Sequence, residues 1–109
     1  MKIDLPEKRY YTIGEVAEAF DVNPSLLRFW EKEFDIIQPK KNAKGTRRFT
    51  QEDIKNLKLI YHLVRIEGYT LDGAKKKLEQ DFSKTLERFE IINKLKKIKS
   101  ELKDIKKHL

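Results

Sequence analysis

The 109-residue sequence predicts a mainly α-helical fold: a helix-turn-helix, a small β-hairpin and a long C-terminal coiled-coil helix. Three observations carry this. Apolar residues recur at helical spacing on both sides of a break at Asp21-Val22-Asn23-Pro24. The helical period disappears between residues 36 and 49, where Pro39 and Gly45 bracket Asn42 and Ala43. Residues 83–109 contain neither Gly nor Pro and carry an apolar stripe in alternating steps of three and four.

Taken in order, residues 1–11 form a polar lead-in ending in Tyr10-Tyr11. Thr12-Ile13-Gly14-Glu15 fits a capping box, in which the Thr hydroxyl takes one free amide and Glu15 reaches back to another. Ile13, Val16, Ala17 and Phe20 then share one helical face. Asn23 suits an N-cap, and Pro24 suits the first helical position, where its missing amide costs little. Leu26, Leu27, Trp30 and Phe34 supply the buried side of this second helix. Two short helices across so brief a turn make a helix-turn-helix.

Residues 36–49 read as two short strands around a tip loop, which is a wing. Thr50-Gln51-Glu52-Asp53 caps the next helix, with Ile54, Leu57, Ile60, Tyr61 and Val64 on one side. Gly68-Tyr69-Thr70 ends it, and Thr70 caps a further helix containing Leu71, Ala74 and Leu78.

In the tail, Phe82, Leu86 and Phe89 are followed, after Ile91-Ile92, by Leu95, Ile98, Leu102, Ile105 and Leu109. That is a heptad seam on a helix of roughly 40 Å at about 1.5 Å per residue. A solitary helix with one narrow apolar stripe is marginal in water. The seam therefore needs a partner, either a second copy or the chain's own core; the small core of the first eighty residues favours a second copy. The expected organisation is a head over residues 1–81 and a dimerisation helix over residues 82–109.

The formal net charge of +7 favours polyanionic partners. Its distribution is uneven. Residues 1–81 hold 16 Lys/Arg against 14 Asp/Glu, and residues 82–109 hold 9 against 4. Within the balanced head, residues 38–49 concentrate Lys40, Lys41, Lys44, Arg47 and Arg48 without a single acid. The absence of cysteine excludes disulfides and thiolate metal sites. No apolar run reaches membrane-spanning length, so a cytoplasmic location is expected. There is no Gly-rich phosphate loop and no nucleophile paired with a base, so neither an enzyme nor a cofactor is expected. His62 and His108 stand apart from any acid-and-His cluster and imply no metal.

Four segments, Thr12-Ile13-Gly14-Glu15-Val16-Ala17, Leu27-Arg28-Phe29-Trp30-Glu31, Gly45-Thr46-Arg47-Arg48-Phe49 and Gly68-Tyr69-Thr70-Leu71, follow one another in a fixed order. In order and spacing they resemble the DNA-binding domain of MerR-type transcriptional regulators through about residue 80. The resemblance implies a winged helix-turn-helix, a helix pair forming a second wing, and a long helix that dimerises in an antiparallel coiled coil. It implies binding to inverted repeats, often between promoter elements, with distortion of the DNA. Where many such regulators have a Tyr pair after the Arg, this chain has Phe29-Trp30, so a hydroxyl contact to phosphate is lost. Many also carry a ligand- or metal-sensing domain beyond the dimerisation helix; none is expected here.

Contacts to DNA divide into phosphate contacts that position and base contacts that specify. Ser25 and Arg28, one turn apart, share the outward face of the second helix, whose N-terminal half is expected in the major groove. Arg28 fits a guanine edge or a phosphate, with an ion pair to Glu31 or Glu33 as the structural alternative. Phe29 either lies along the sugar-phosphate edge or packs, whereas Trp30 belongs to the core. Lys40, Lys41, Lys44, Arg47 and Arg48 form a phosphate-binding wing; by the resemblance Arg47 is its main contact and Phe49 anchors the hairpin. Tyr69 offers a phosphate hydrogen bond from the second wing. Leu86, Phe89, Leu95, Ile98, Leu102, Ile105 and Leu109 form the dimer seam.

The leading expectation is a homodimeric, sequence-specific regulator that binds double-stranded DNA, with RNA polymerase as a further partner at a promoter. An excisionase-like architectural factor would share the winged helix but usually lacks a long seam. A coiled-coil adaptor would leave the acid-free wing unexplained.

Overall fold

The computed structural model describes residues 3–108 and divides the chain into two compact units, Met1–Gly68 and Tyr69–Leu109. In the first, the chain turns helical where Thr12 supplies the cap. Thr12 Oγ1 accepts from the Glu15 amide and Glu15 Oε1 accepts from the Thr12 amide, both at 3.1 Å, so the expected capping box opens α1 (Ile13–Phe20). A cap of this kind stabilises a helix by about 1 kcal/mol. Lys8 donates to the same carboxylate, and this bond, together with that from the Thr12 backbone, holds Glu15 below its ordinary pKa. The interaction is thus complete at neutral pH and fades as pH falls through that lowered value.

Asp21 takes a left-handed conformation (φ 54°), and Val22 N donates back to Ala17 O at 3.0 Å. This closes α1 with the six-to-one bond of a Schellman end. α2 (Pro24–Glu33) begins with Pro24 in the first turn. Asn23 occupies the N-cap position, yet its side chain makes no capping bond; Leu26 N donates to Asn23 O at 3.0 Å instead. The fixed φ of Pro24 and the local backbone turn start this helix without the side-chain cap expected of Asn23. Leu27, Trp30 and Phe34 are buried, and Leu26 is half-buried.

The wing is two strands, β1 (Lys40–Lys41) and β2 (Arg47–Arg48), antiparallel with Lys40 opposite Arg48 and Lys41 opposite Arg47. Asn42 builds the tip: its Oδ1 accepts from Lys44 N at 2.9 Å and Thr46 N at 3.0 Å, while Gly45 supplies a positive φ of 78°. A left-handed position beside such an Asx turn favours glycine. The lead-in is more than a polar tail. Tyr11 and Phe49 exchange backbone hydrogen bonds at 2.8 and 2.9 Å, adding a third extended segment to the base of the hairpin.

α3 (Gln51–Tyr61) opens with a second capping box between Thr50 and Asp53. Asp53 is buried and also accepts from Gln38 N at 3.1 Å, while Asn56 Nδ2 donates to Ile36 O at 2.9 Å. These two bonds pin the 34–39 connection to α3. The helix then widens into a π-helical turn, His62–Ile66, before Gly68 (φ 80°) ends it. The extra residue in that turn rotates the face expected from α-helical spacing. Leu59, His62 and Leu63 are buried beside Ile54, Leu57 and Ile60, whereas Tyr61 and Val64 are only half-buried. Tyr61 meets Phe20 edge-on, with ring centroids 5.9 Å apart.

The second unit is dominated by α4 (Leu71–Lys107), capped by Thr70 Oγ1, which accepts from Gly73 N at 3.0 Å. Its backbone leaves helical geometry at one residue, Asp81 (φ −152°, ψ 46°). The compact units divide at Gly68/Tyr69, and the helix breaks at Asp81; the first follows packing and the second follows backbone continuity. Ala74, Leu78, Thr85 and Phe89 are buried, while Leu95, Ile98, Leu102 and Ile105 are each more than half exposed.

Candidate nucleic-acid interface

The amphipathic spacing of α2 decides which of its residues face solvent. Leu27 and Trp30 turn into the core, at 0% and 2% exposure, so Ser25 and Arg28 are left on the outside. Phe29 is 45% exposed and lines an open depression of about 580 Å³ with Val22, Leu26 and Arg65. Glu31, one of the acids open to Arg28, is taken by another cation: Arg47 Nε donates to Glu31 Oε2 at 2.5 Å. Both side chains are largely shielded from solvent, which strengthens a charge-assisted bond relative to a surface pair. The bond joins the outward helix to the wing.

The wing register sets like charges directly opposite one another, which is destabilising in an antiparallel pair. Lys41 faces Arg47, and there Glu31 pairs with Arg47 and offsets its charge. Lys40 faces Arg48, and the group that meets both is an aromatic ring: Lys40 Nζ and Arg48 Cζ each lie 5.9 Å from the Tyr10 centroid. Arg9 Cζ lies 5.5 Å from the same ring. At exposed sites each such contact is worth about 0.5–1 kcal/mol. Lys44 stands exposed at the tip and Lys41 is exposed on its strand. Phe49, fully buried, roots the hairpin.

Arg9 and Tyr10 were not among the residues expected from sequence to form this surface. The signal for them was the Tyr10-Tyr11 pair itself, since in an extended segment one ring faces inward and its neighbour outward. Tyr11 is 5% exposed, and its hydroxyl donates to Pro6 O at 2.7 Å; Tyr10 remains half-exposed.

Tyr69 opens the second unit and is half-buried. A Cβ at Gly73 would stand 3.0 Å from Thr70 Oγ1 and 3.5 Å from Tyr69 Cδ1, so glycine lets this turn close tightly. In the seam, Leu86 is half-buried, Phe89 is buried, Leu95, Ile98, Leu102 and Ile105 are exposed, and Leu109 lies outside the described residues. Among the described residues no group of three or more His, Asp or Glu is placed to hold a metal ion. No helix among them is long and apolar enough to cross a membrane.

Residues 11–81 match the MerR HTH family regulatory protein domain. The HTH-type transcriptional regulator MlrA of Salmonella typhimurium (strain SL1344) is 34% identical over 73 residues, which is 67% of this chain and 30% of that protein. The mercuric resistance operon regulatory protein of Bacillus cereus is 28% identical over 101 residues, 89% of this chain and 76% of that one. This chain thus spans less than a third of MlrA but most of the shorter regulator. Among solved structures it is similar to HiNmlR, a MerR family regulator lacking the sensor domain, bound to promoter DNA. The TM-score is 0.56 at 27% identity, covering 92% of this chain and 82% of that one.

Proposed function

The chain belongs to the MerR family of helix-turn-helix DNA-binding transcriptional regulators, and from that premise we propose that it acts as a homodimer on an inverted-repeat operator. The observation that carries its DNA-binding part is the ion pair between Glu31 and Arg47, which ties α2 to a wing dense in cations; the exposed stripe of α4 supports the homodimer. A helix that reads and a wing that grips are useful together only when their relative placement is held.

In this reading residues 1–81 form the DNA-binding unit. Ser25 and Arg28 meet base edges or nearby phosphates, with Phe29 against the sugar-phosphate edge. Lys40, Lys41, Lys44, Arg47 and Arg48 meet phosphates through the first wing, and Tyr69 does so through the second. Residues 82–109 pair with those of a second copy, which would cover the exposed Leu95, Ile98, Leu102 and Ile105. Doubling the surface doubles the phosphates neutralised, so affinity falls steeply with salt. In this reading the dimer distorts promoter DNA and so alters the spacing that RNA polymerase meets; the similarity to HiNmlR, a regulator bound to promoter DNA, supports the promoter-binding part.

Selection of bound sequences from a random duplex pool at near-physiological salt tests this. An inverted repeat with half-sites separated by about one or two helical turns is the expected product. A single unpaired site would favour an architectural, excisionase-like factor, and no enrichment would favour a coiled-coil adaptor.

A further inference from the structure

We propose that Tyr10 is the organising residue of a phosphodiester-binding site, formed by Arg9, Lys40 and Arg48 on the outer face of the first wing. The inference rests on the DNA-binding reading above and extends it to the N-terminal segment.

The three cations lie 5.5 to 5.9 Å from the centroid of one ring, so any two of them are less than about 12 Å apart. Lys40 and Arg48 stand directly opposite one another across the hairpin, where like charges repel. Two other cations meet acids, Lys8 with Glu15 and Arg47 with Glu31. Lys40 and Arg48 are directly opposed across the hairpin and meet the electron-rich ring in place of a carboxylate. A neutral ring gathers cations without cancelling their charge. The cluster therefore keeps its positive field, and an anion relieves the repulsion that remains.

The segment that carries Tyr10 is anchored. The Tyr11–Phe49 backbone pair fixes it to the hairpin base, Tyr11 Oη bonds Pro6 O, and Gln51 Nε2 donates to Lys8 O at 3.0 Å. Arg9 is exposed, which leaves its guanidinium free to fork onto two phosphate oxygens. Tyr10 itself is a positioning residue: it contributes no charge, and its ring decides where three charges stand.

The test measures affinity of the full chain for two labelled duplexes, the sequence selected from the random pool and an unrelated sequence of equal length, across a salt series. Arg9→Gln should lower the salt slope by about one on both duplexes. Tyr10→Leu should weaken binding to both by about fivefold, while Tyr10→Phe, which keeps the ring, should stay within about twofold of wild type. In a Tyr10→Leu background, Arg48→Gln should cost less than it does alone. An unchanged slope for Arg9→Gln would overturn the site, and so would a Tyr10→Phe as impaired as Tyr10→Leu. Arg9 is exposed and outside the core, so its variant decides the matter even if Tyr10→Leu folds poorly. Equal wild-type affinity for the two duplexes would instead count against the sequence-specific regulator, and the phosphate site would still stand or fall on the variants.

Discussion

Arg28 and Arg47 are both arginines on the candidate surface, yet their surroundings assign them different work. Arg28 is exposed on the outward face of α2, while Arg47 is partly buried against Glu31. Arg28→Ala should relax base preference at one operator position, costing about 1–3 kcal/mol on the preferred base. Arg47→Ala should weaken binding to all duplexes alike, as measured by titrating each variant against matched and mismatched operators. Glu31 sharpens the point. Removing an acid beside a DNA-binding surface ought to strengthen binding if charge alone mattered. Because Glu31 fixes Arg47 and joins wing to helix, Glu31→Ala should instead weaken binding by about three- to fivefold. Tighter binding by this variant in the same titration would show that the ion pair only masks Arg47. The Arg28 face was legible in the sequence from helical spacing; the Glu31–Arg47 pair was not, since it joins residues sixteen positions apart across a loop.

At the scale of elements, capping chemistry was the most legible signal. Thr12 with Glu15 and Thr50 with Asp53 both close reciprocal boxes, because each needs only residues three apart. Asn23 shows the limit of that logic: a good capping residue followed by a proline has its helix start set by the proline, and its own side chain makes no capping bond. The π-helical turn at His62–Ile66 had no local signature either, and Val64, which lies within it, is only half-buried. The hairpin depends on Phe49, which is fully buried and bridged to Tyr11. Phe49→Ala should destabilise the protein by about 3–5 kcal/mol and be visible as a lowered melting temperature by circular dichroism. A melting temperature matching wild type would mean that the hairpin is rooted elsewhere.

For the whole molecule, assembly turns on the exposed stripe of α4. Leu95, Ile98, Leu102 and Ile105 are exposed along its C-terminal half, a stripe that water disfavours and a second copy would cover. Replacing Ile98 and Leu102 together with glutamate should give monomers by sedimentation, with affinity for the full inverted repeat falling toward that for a half-site. A dimer that survives this pair of charges would place the interface elsewhere. In the proposed dimer the excess of positive charge over residues 82–109 would add a long-range attraction to DNA, which salt would screen.

What the sequence determined by itself was everything carried by neighbours along the chain: the helices and most of their caps, the turn at Gly45, the acid-free wing and the seam. These depend on spacings of two to seven residues, and such spacings are visible without a fold. Only the tertiary structure decided which cations are paired with an acid. Five basic residues in the wing look equivalent in sequence, yet one is held by an acid from α2, and two are gathered with Arg9 around a ring from the N-terminal segment. Electrostatic environment is set by distance through space, and for the wing cations Arg47, Lys40 and Arg48 the groups that set it lie sixteen or more residues away along the chain.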